Sequence, residues 1–525
     1  MKNIINWLIK PFKNNFSYFL LVFLLISSID IYYLIKGNLI SYSIYICFHC
    51  YITAYTLCLI GECLPIKGVV LYKRIILLII TLSFIIDLFC NLTYHTRFNE
   101  DFATIIMQTN PAEIKEFFES FISFKFIFLI ILLLSFLYTI YYFSKTKLKH
   151  IGQNIQYILL SGVVFGIILT IRNPLIYKDV LIGKIIKTLQ LPTIPDLNDY
   201  LTYPKLSINR NSPQNVAIII GESFSKSHSS LYGYNKETNP LLQTLIKDSC
   251  LHIYQNVKSP STGTIPCFKA IMSTYKPEYL DSIPWYQCTT LPEVLQIYRY
   301  HTYWISNQSK IGLYDTVIGK YADLCNQRFY VGDKFSGLNR TNLDEKVIPL
   351  IKPLVNNKDY NFYFIHLMGS HSTFNKRYSK NFEKFKVEDY SDYPLHQREN
   401  FASYDNSILY NDSVVYEIMN LFHDKEAIVF YFSDHAIDVY ESTDDYIGHA
   451  RTTDPKSVEA GSQIPFMIYT SPLYQQNFPS EMEKIKLCTE QPFRTDDMIY
   501  TIMDIIGVTF EGESLEGKSL FQLSR

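Results

Sequence analysis

Two patterns of apolar residues divide this chain. Up to about residue 172 they form long, nearly unbroken runs; beyond it they form short runs separated by polar turns. Five of the long runs approach the roughly 20 residues that a helix needs to cross the hydrocarbon core of a bilayer. They are Phe16–Ile35, Ile40–Leu59, Ile75–Thr93, Phe124–Phe143 and Ile155–Ile171, the last being short and carrying Gly162 and Gly166. A cleaved leader would account for the first run alone, but its length and the runs behind it favour a retained anchor. From Asn173 to about Asn211, Pro174, Pro192, Pro195 and Pro204 punctuate a polar stretch that reads as a linker along the membrane surface. Asn215–Gly221, Tyr360–His366, Ala427–Phe432 and Ile464–Tyr469 then read as buried strands, while Ser407–Phe422 and Thr495–Ile506 have helical spacing. Strands alternating with helices predict an α/β domain on a mostly parallel central sheet. The expected organisation is a five-helix transmembrane domain over residues 1–172 with an outside loop near 94–123, a linker over 173–211, and a catalytic domain over 212–525.

Charge sets the orientation. Lys2, Lys10 and Lys13 precede the first run, Lys67, Lys73 and Arg74 separate the second from the third, and Lys145, Lys147 and Lys149 separate the fourth from the fifth. All three clusters belong on the cytoplasmic side. The acidic loop with Glu100, Asp101, Glu113, Glu116 and Glu119 then lies outside, and five crossings put everything after about Arg172 outside too. The formal net charge of -1 over 525 residues gives no electrostatic case for nucleic acid as a partner. Of ten cysteines, five lie in the membrane part; Cys250, Cys267, Cys288, Cys325 and Cys488 lie beyond it, where one or two disulfides are expected. No CxxC…CxxC pattern supports a cysteine zinc site.

The predicted strands end in groups that bind metal or phosphate. The first runs into Gly221-Glu222-Ser223, the second into His366 and then Gly369-Ser370-His371, the third into Ser433-Asp434-His435, with Gly448-His449 following. One carboxylate or histidine after a strand is usually structural. Several strand ends delivering Glu, Asp-His and His together match the ligand chemistry of a zinc site with an open position. A candidate nucleophile lies in Lys258-Ser259-Pro260-Ser261-Thr262-Gly263-Thr264-Ile265-Pro266, ahead of a helix read over Cys267–Ser273. A hydroxyl bound to a dication there, beside free helix amides, suits attack on phosphorus. Taken alone, the same residues are ordinary helix caps.

At this point the sequence resembles the phosphoethanolamine transferases of the alkaline phosphatase and sulfatase superfamily, over nearly the whole chain. The resemblance rests on GESFSKSHSSLYGYNKETNP (Gly221–Pro240), STGTIPC (Ser261–Cys267), HLMGSH (His366–His371), YDNSILYND (Tyr404–Asp412) and SDH with the later GH. It implies Glu222, Asp434 and His435 as zinc ligands, with a threonine as both ligand and phosphoryl acceptor. Thr262 is the preferred threonine, with Ser261 and Thr264 as alternatives. It also implies that His371 and His449 hold the substrate phosphate, protonate the leaving alcohol or bind a second zinc. The loop QTNPAEIKEF (Gln108–Phe117) resembles a substrate-facing loop, making Thr109 and Glu113 candidate ethanolamine contacts; an amphipathic interfacial helix is the competing reading. WISNQSK (Trp304–Lys310) offers Asn307 and Lys310 as further pocket residues. Many relatives read Asp-His-Gly-Glu where this chain has Asp434-His435-Ala436-Ile437. If that Glu orients the histidine, its loss weakens the metal site unless Asp438 or Glu441 substitutes. Only Cys267 falls on a familiar disulfide position.

What the resemblance implies is a bacterial inner-membrane, multi-pass enzyme with a periplasmic catalytic domain, acting as a monomer. It would carry phosphoethanolamine from phosphatidylethanolamine through a zinc-bound phosphothreonine to a lipid A or core glycan acceptor. The competing functions are phosphoglycerol transfer from phosphatidylglycerol and a catalytically silent membrane scaffold. Sulfatase activity is disfavoured because no Cys-or-Ser-x-Pro-x-Arg activation motif is present.

Overall fold

A computed structural model of the chain describes residues 2–35, 40–94, 124–147, 153–172, 195–209, 211–279, 283–308, 317–331, 342–357, 359–444, 446–449 and 454–523. The chain divides into a helical unit within residues 1–192 and a second unit from residue 193 onward.

In the first unit, helices occupy each apolar run: α1 (Lys10–Ile35), α2 (Ile40–Glu62), α3 (Ile66–Tyr94), α4 (Phe124–Lys147) and α5 (Gln153–Arg172). Phe12, Phe19, Val22, Ala54, Tyr55 and Phe84 pack inside, while Leu78, Leu82, Ile131, Phe136 and Ile158 point outward. Large apolar side chains on the outer face are what a hydrocarbon solvent accommodates and water does not. Among the described residues, Gly68–Cys90 and Phe126–Phe143 are long and apolar enough to cross a membrane, with mean hydropathies of 2.3 and 2.4. Ile46–Glu62 and Asn154–Ile167 are shorter apolar stretches. The loop carrying Thr109 and Glu113 lies outside the described residues.

The second unit is built on a seven-stranded sheet: β1 (Asn215–Gly221), β2 (Leu251–Ile253), β3 (His301–Ser306), β4 (Gln327–Tyr330), β5 (Asn361–His366), β6 (Ala427–Ser433) and β7 (Phe466–Thr470), in the spatial order β2-β7-β6-β1-β5-β3-β4. Strands β6, β1, β5, β3 and β4 run parallel, but β7 is antiparallel to both its neighbours, so the sheet is mixed. The reason lies in the connection. The chain leaves β6 and stays at its carboxyl end, and Phe466 pairs with Phe432, so the only available direction is back. Both faces of the sheet are covered. Alternation sends Val216, Ile218, Ile220, Phe362, Phe364, Phe430 and Phe432 into one core layer and Ala217, Ile219, Tyr363, Ile365, Val429 and Tyr431 into the other. That double burial is why these strands read as unbroken apolar runs.

Residues 195–209, read from the sequence as linker, belong to this unit: Leu206–Ile208 pairs antiparallel with Val508–Phe510. The expected disulfides do not form, and all ten cysteines are free. Cys267 is buried, with its thiol 3.2 Å from the Ser261 carbonyl.

Candidate active site

Three adjacent parallel strands, β6, β1 and β5, end at one level because their register aligns Gly221 with Ser433 and Ile220 with His366. The residues that follow are therefore delivered to one place at the carboxyl edge of the sheet. Glu222, Asp434 and His435 are fully buried there, with one ligand atom from each within 4.8 Å of the others. His435 Nε2 stands 3.2 Å from Glu222 Oε1 and 3.6 Å from Asp434 Oδ2. The Ser223 hydroxyl donates to Glu222 Oε1 at 2.8 Å, and Asp434 Oδ1 accepts from the His435 amide at 2.7 Å. Asp434 Oδ2 is buried with no hydrogen-bond partner. An orphaned carboxylate oxygen is costly unless a cation takes it. Two carboxylates, one of them with this orphaned oxygen, and an imidazole nitrogen fit a divalent metal ion.

The histidine is oriented without the missing glutamate. His435 Nδ1 lies 2.8 Å from the carbonyl oxygen of Ala436, so Nδ1–H donates to the backbone and Nε2 faces the carboxylates. Asp438 and Glu441, the candidate substitutes, do other work. Asp438 accepts from the Glu441 and Ser442 amides and from the Ser442 and Ser457 hydroxyls, while Glu441 meets the hydroxyls of Ser225 and Ser227. Asp438 thus ties down the turn leading to His449, its backbone pairing with Gly448.

Burial and the negative charges of Asp434 and Glu222 act oppositely on His435, and the charges win, lifting its pKa to about 9. Burial together with the charge of Glu222 holds the Asp434 carboxyl well above the usual range. Burial also works against ionised Glu222, but the His435 charge more than offsets it and keeps that carboxyl well below its ordinary value.

Of the candidate nucleophiles ahead of the helix, Thr264 is the one whose hydroxyl contacts this cluster. Its Oγ1 lies 3.3 Å from Glu222 Oε2 and 3.2 Å from His435 Nε2. Thr264 opens α6 (Thr264–Ile271), which starts three residues earlier than the sequence suggested, with Gly263 as its N-cap. The preferred Thr262 instead presents its backbone carbonyl to His449 Nδ1, at 3.4 Å. The physical reason is helix phase. The buried face of α6, Cys267, Phe268, Ala270 and Ile271, anchors the helix, and its first residue lies over the strand ends.

His449 packs against the cluster, its ring centroid 4.8 Å from that of His435 and its plane tilted by 50°. His371 is half buried and close enough for its charge to help lower the Glu222 pKa. Asn307 does not face the cluster: its amide donates to Asp344 Oδ1 at 2.7 Å and to the Asn342 carbonyl at 3.0 Å. Asp344 in turn accepts from the Met368 and Gly369 amides, both at 2.8 Å, and so holds the loop that carries His371. The next residue, Gln308, is the one that reaches in, its Nε2 lying 3.4 Å from Glu222 Oε2 and 3.2 Å from the Leu367 carbonyl. The end of β3 placed it there, a strand that the sequence reading had not drawn. Lys310 lies outside the described residues.

A family profile described as sulfatase matches residues 214–508, more than half of the chain and all of the sheet. The chain belongs to the sulfatase family. Within it, the phosphoethanolamine transferase EptC of Escherichia coli O18:K1:H7 (strain RS218 / NMEC) is 24% identical over 458 residues, covering 80% of this chain and 77% of the relative. Among solved structures, the integral membrane protein lipooligosaccharide phosphoethanolamine transferase A (EptA) from Neisseria meningitidis matches with a TM-score of 0.68 at 16% identity, over 94% of this chain and 96% of its own. The C-terminal periplasmic domain of EptC from Escherichia coli, in complex with Zn, matches with a TM-score of 0.55 at 24% identity, over 61% of this chain and 89% of its own. At such identities the structural matches show a shared fold. This sulfatase-family chain has threonine and no Cys-or-Ser-x-Pro-x-Arg motif at the start of α6, so its membership points to the fold and the metal cluster rather than to sulfate esters.

Proposed function

We propose that this chain is a zinc-dependent phosphoethanolamine transferase, anchored in a bacterial inner membrane by five spans with its catalytic unit in the periplasm. The observation that carries the reading is the Thr264 hydroxyl, held at a helix start within 3.3 Å of two of the three clustered ligand residues. The relatives' names support the transferred group, and the lipooligosaccharide in the name of the Neisseria relative supports a lipid-linked glycan acceptor. A zinc ion held by Glu222, Asp434, His435 and Thr264 would supply Lewis acidity, lowering the hydroxyl's pKa and offsetting charge on the phosphoryl oxygens.

Thr264 Oγ1 attacks the phosphorus of phosphatidylethanolamine. The phosphorus–oxygen bond to diacylglycerol breaks, and the proton that left Thr264 ends on the diacylglycerol hydroxyl. A hydroxyl or phosphate oxygen of lipid A or core sugar then attacks the phosphothreonine, the Thr264 bond breaks, and the acceptor's proton returns to Thr264. His371 and His449 carry these protons and hold the phosphoryl oxygens. Free amides at the start of α6 face the same charge. Thr109, Glu113 and Lys310 remain candidate contacts to the donor headgroup.

Intact-protein mass spectrometry after incubation with phosphatidylethanolamine, and separately phosphatidylglycerol, tests the donor. Diacylglycerol release with a phosphoethanolamine-sized adduct from the first lipid alone is the expected result. A phosphoglycerol adduct would move the reading to phosphoglycerol transfer. No release from either lipid, in zinc-replete protein with acceptor extract present, would leave a silent scaffold.

Metal binding has its own signature. The charges of Asp434 and Glu222 lift the His435 pKa to about 9, which leaves a proton on the imidazole at pH 7, and burial raises the Asp434 carboxyl as well. A dication must displace the bound proton, so binding at pH 7 should release at least about one proton, and affinity should rise as pH climbs toward 9. The sign follows from competition, since raising the pH removes the competing proton. Calorimetry in buffers of different ionisation enthalpy reads the proton count; a count of zero would contradict the ligand set.

A further inference from the structure

The motif Tyr404–Asp412 carries none of the reacting groups, yet Tyr404 to Ser407 and Tyr410 to Asp412 are buried almost completely in the middle of α7 (Leu395–Asn420). So many polar side chains in a helix interior are costly unless each has a partner. Asp405, Asn406, Asn411 and Asp412 find theirs in His228, the Phe385 backbone, Tyr431 and the Leu241 and Leu242 amides, whereas Tyr404 and Ser407 reach the loops of the active site. Tyr404 donates its hydroxyl to the Ser223 carbonyl at 2.7 Å and accepts from the Ser225 amide at 2.8 Å. One helical turn on, the Ser407 hydroxyl donates to Ser370 Oγ at 2.9 Å. The Ser370 amide donates to the Glu222 carbonyl, also at 2.9 Å.

Ser223, whose carbonyl takes the first of these bonds, has φ of +57°, a left-handed conformation that a serine rarely adopts unless its surroundings enforce it. That conformation lets its hydroxyl turn back onto Glu222 Oε1 at 2.8 Å. The two bonds to Tyr404 hold the chain on the carboxyl side of the strained residue, and on its amino side the Ser223 amide donates to Asp434 Oδ1 at 3.4 Å. We infer that Tyr404 is a positioning residue for Glu222: its phenol locks Ser223 in the left-handed conformation, and Ser223 then fixes the carboxylate for metal. This deepens the proposed function and rests on its assignment of Glu222 as a ligand.

The test is Tyr404→Phe in the full-length protein in detergent, with zinc affinity measured by chelator competition. The ring stays packed against His228 and Phe374, whose centroids lie 5.0 and 4.9 Å away, so only the hydroxyl is lost. Zinc affinity should fall about 10- to 100-fold, the usual scale for a group supporting a metal ligand. kcat should fall with it, while KM for the lipid donor stays within about twofold. Ser223→Ala should show a comparable loss, and the double variant should bind zinc no more weakly than the poorer single variant, because both act through one carboxylate. Asn406→Ala is the control. Asn406 bonds the Phe385 backbone, at 2.8 Å twice, and neighbours the Tyr378 hydroxyl, away from Ser223 and Glu222, so its loss should lower Tm and leave zinc affinity unchanged.

Wild-type zinc affinity in Tyr404→Phe, or losses that multiply in the double variant, would overturn the inference. Should Tyr404→Phe fail to fold, Ser223→Ala alone decides, and wild-type affinity there overturns it equally. If the wild-type protein itself bound no zinc, the metal assignment would fall and this inference with it, a result distinct from any of the variant outcomes.

Discussion

Replacing Thr264 by alanine should abolish the covalent adduct and lower transfer by roughly a thousandfold or more, the scale on which removing a nucleophile acts. The chain offers three hydroxyls within four residues, and geometry separates them. Thr264 Oγ1 contacts Glu222 and His435, whereas Thr262 serves His449 through its backbone carbonyl, which alanine also possesses. Ser261 likewise acts through its carbonyl, which accepts from the Ser259 hydroxyl at 2.6 Å and from the Cys267 thiol. Thr262→Ala and Ser261→Ala should therefore still form the adduct, read by intact mass and by peptide mapping over residues 258–269. An adduct that survives in Thr264→Ala and disappears in Thr262→Ala would return the nucleophile to Thr262.

Gly369→Ala should be the most damaging single methyl in the second unit. A Cβ there would stand 2.6 Å from both the amide nitrogen and the carbonyl oxygen of Glu222, and Gly369 already has φ of +53°. Neither side can retreat. Glu222 follows directly on β1, which is hydrogen-bonded between β5 and β6, and the Gly369 amide is tied to Asp344. The overlap therefore falls on backbone rather than on a side chain that could swing away. The expected cost is about 3 kcal/mol from overpacking and left-handed strain together. Thermal unfolding should show a fall in Tm of several degrees, with zinc affinity falling as Glu222 is pushed aside. A variant with unchanged Tm and affinity would mean that the loop after β5 is free to move.

The sequence made the cluster of Glu222, Asp434 and His435 legible because these residues follow fully buried strands, and strands buried on both faces are the easiest to find. It could not choose among the hydroxyls before α6, since Ser261, Thr262 and Thr264 all look like helix caps and only the helix phase separates them. Asn307 and Gln308 differ by one position, and at a strand end one position decides whether a side chain faces Asp344 or Glu222. With β3 not drawn, that parity was invisible. Asp344 lies 24 residues from Met368 in sequence and was beyond any local pattern. The direction of β7 was hidden for a different reason: an apolar run looks the same read parallel or antiparallel, and only the return path from β6 fixes it. In the first unit, composition located the helices, because each fills one long apolar run.

The carbonyl of Ala436 has a consequence for how this family diversifies. A side-chain acceptor can be lost by one codon change, but a peptide oxygen is present whichever residue is encoded. With His435 steered by the main chain, the two positions after it are released from holding the imidazole. Here they are filled by Ala436 and Ile437, both buried and apolar, with Ile437 joining the core layer on one face of the sheet. A homologue hunt that insists on Gly-Glu after Asp-His would therefore discard chains whose Glu, Asp and His cluster is intact. Such chains are better sought by the strand-end spacing that brings Glu222, Asp434 and His435 together.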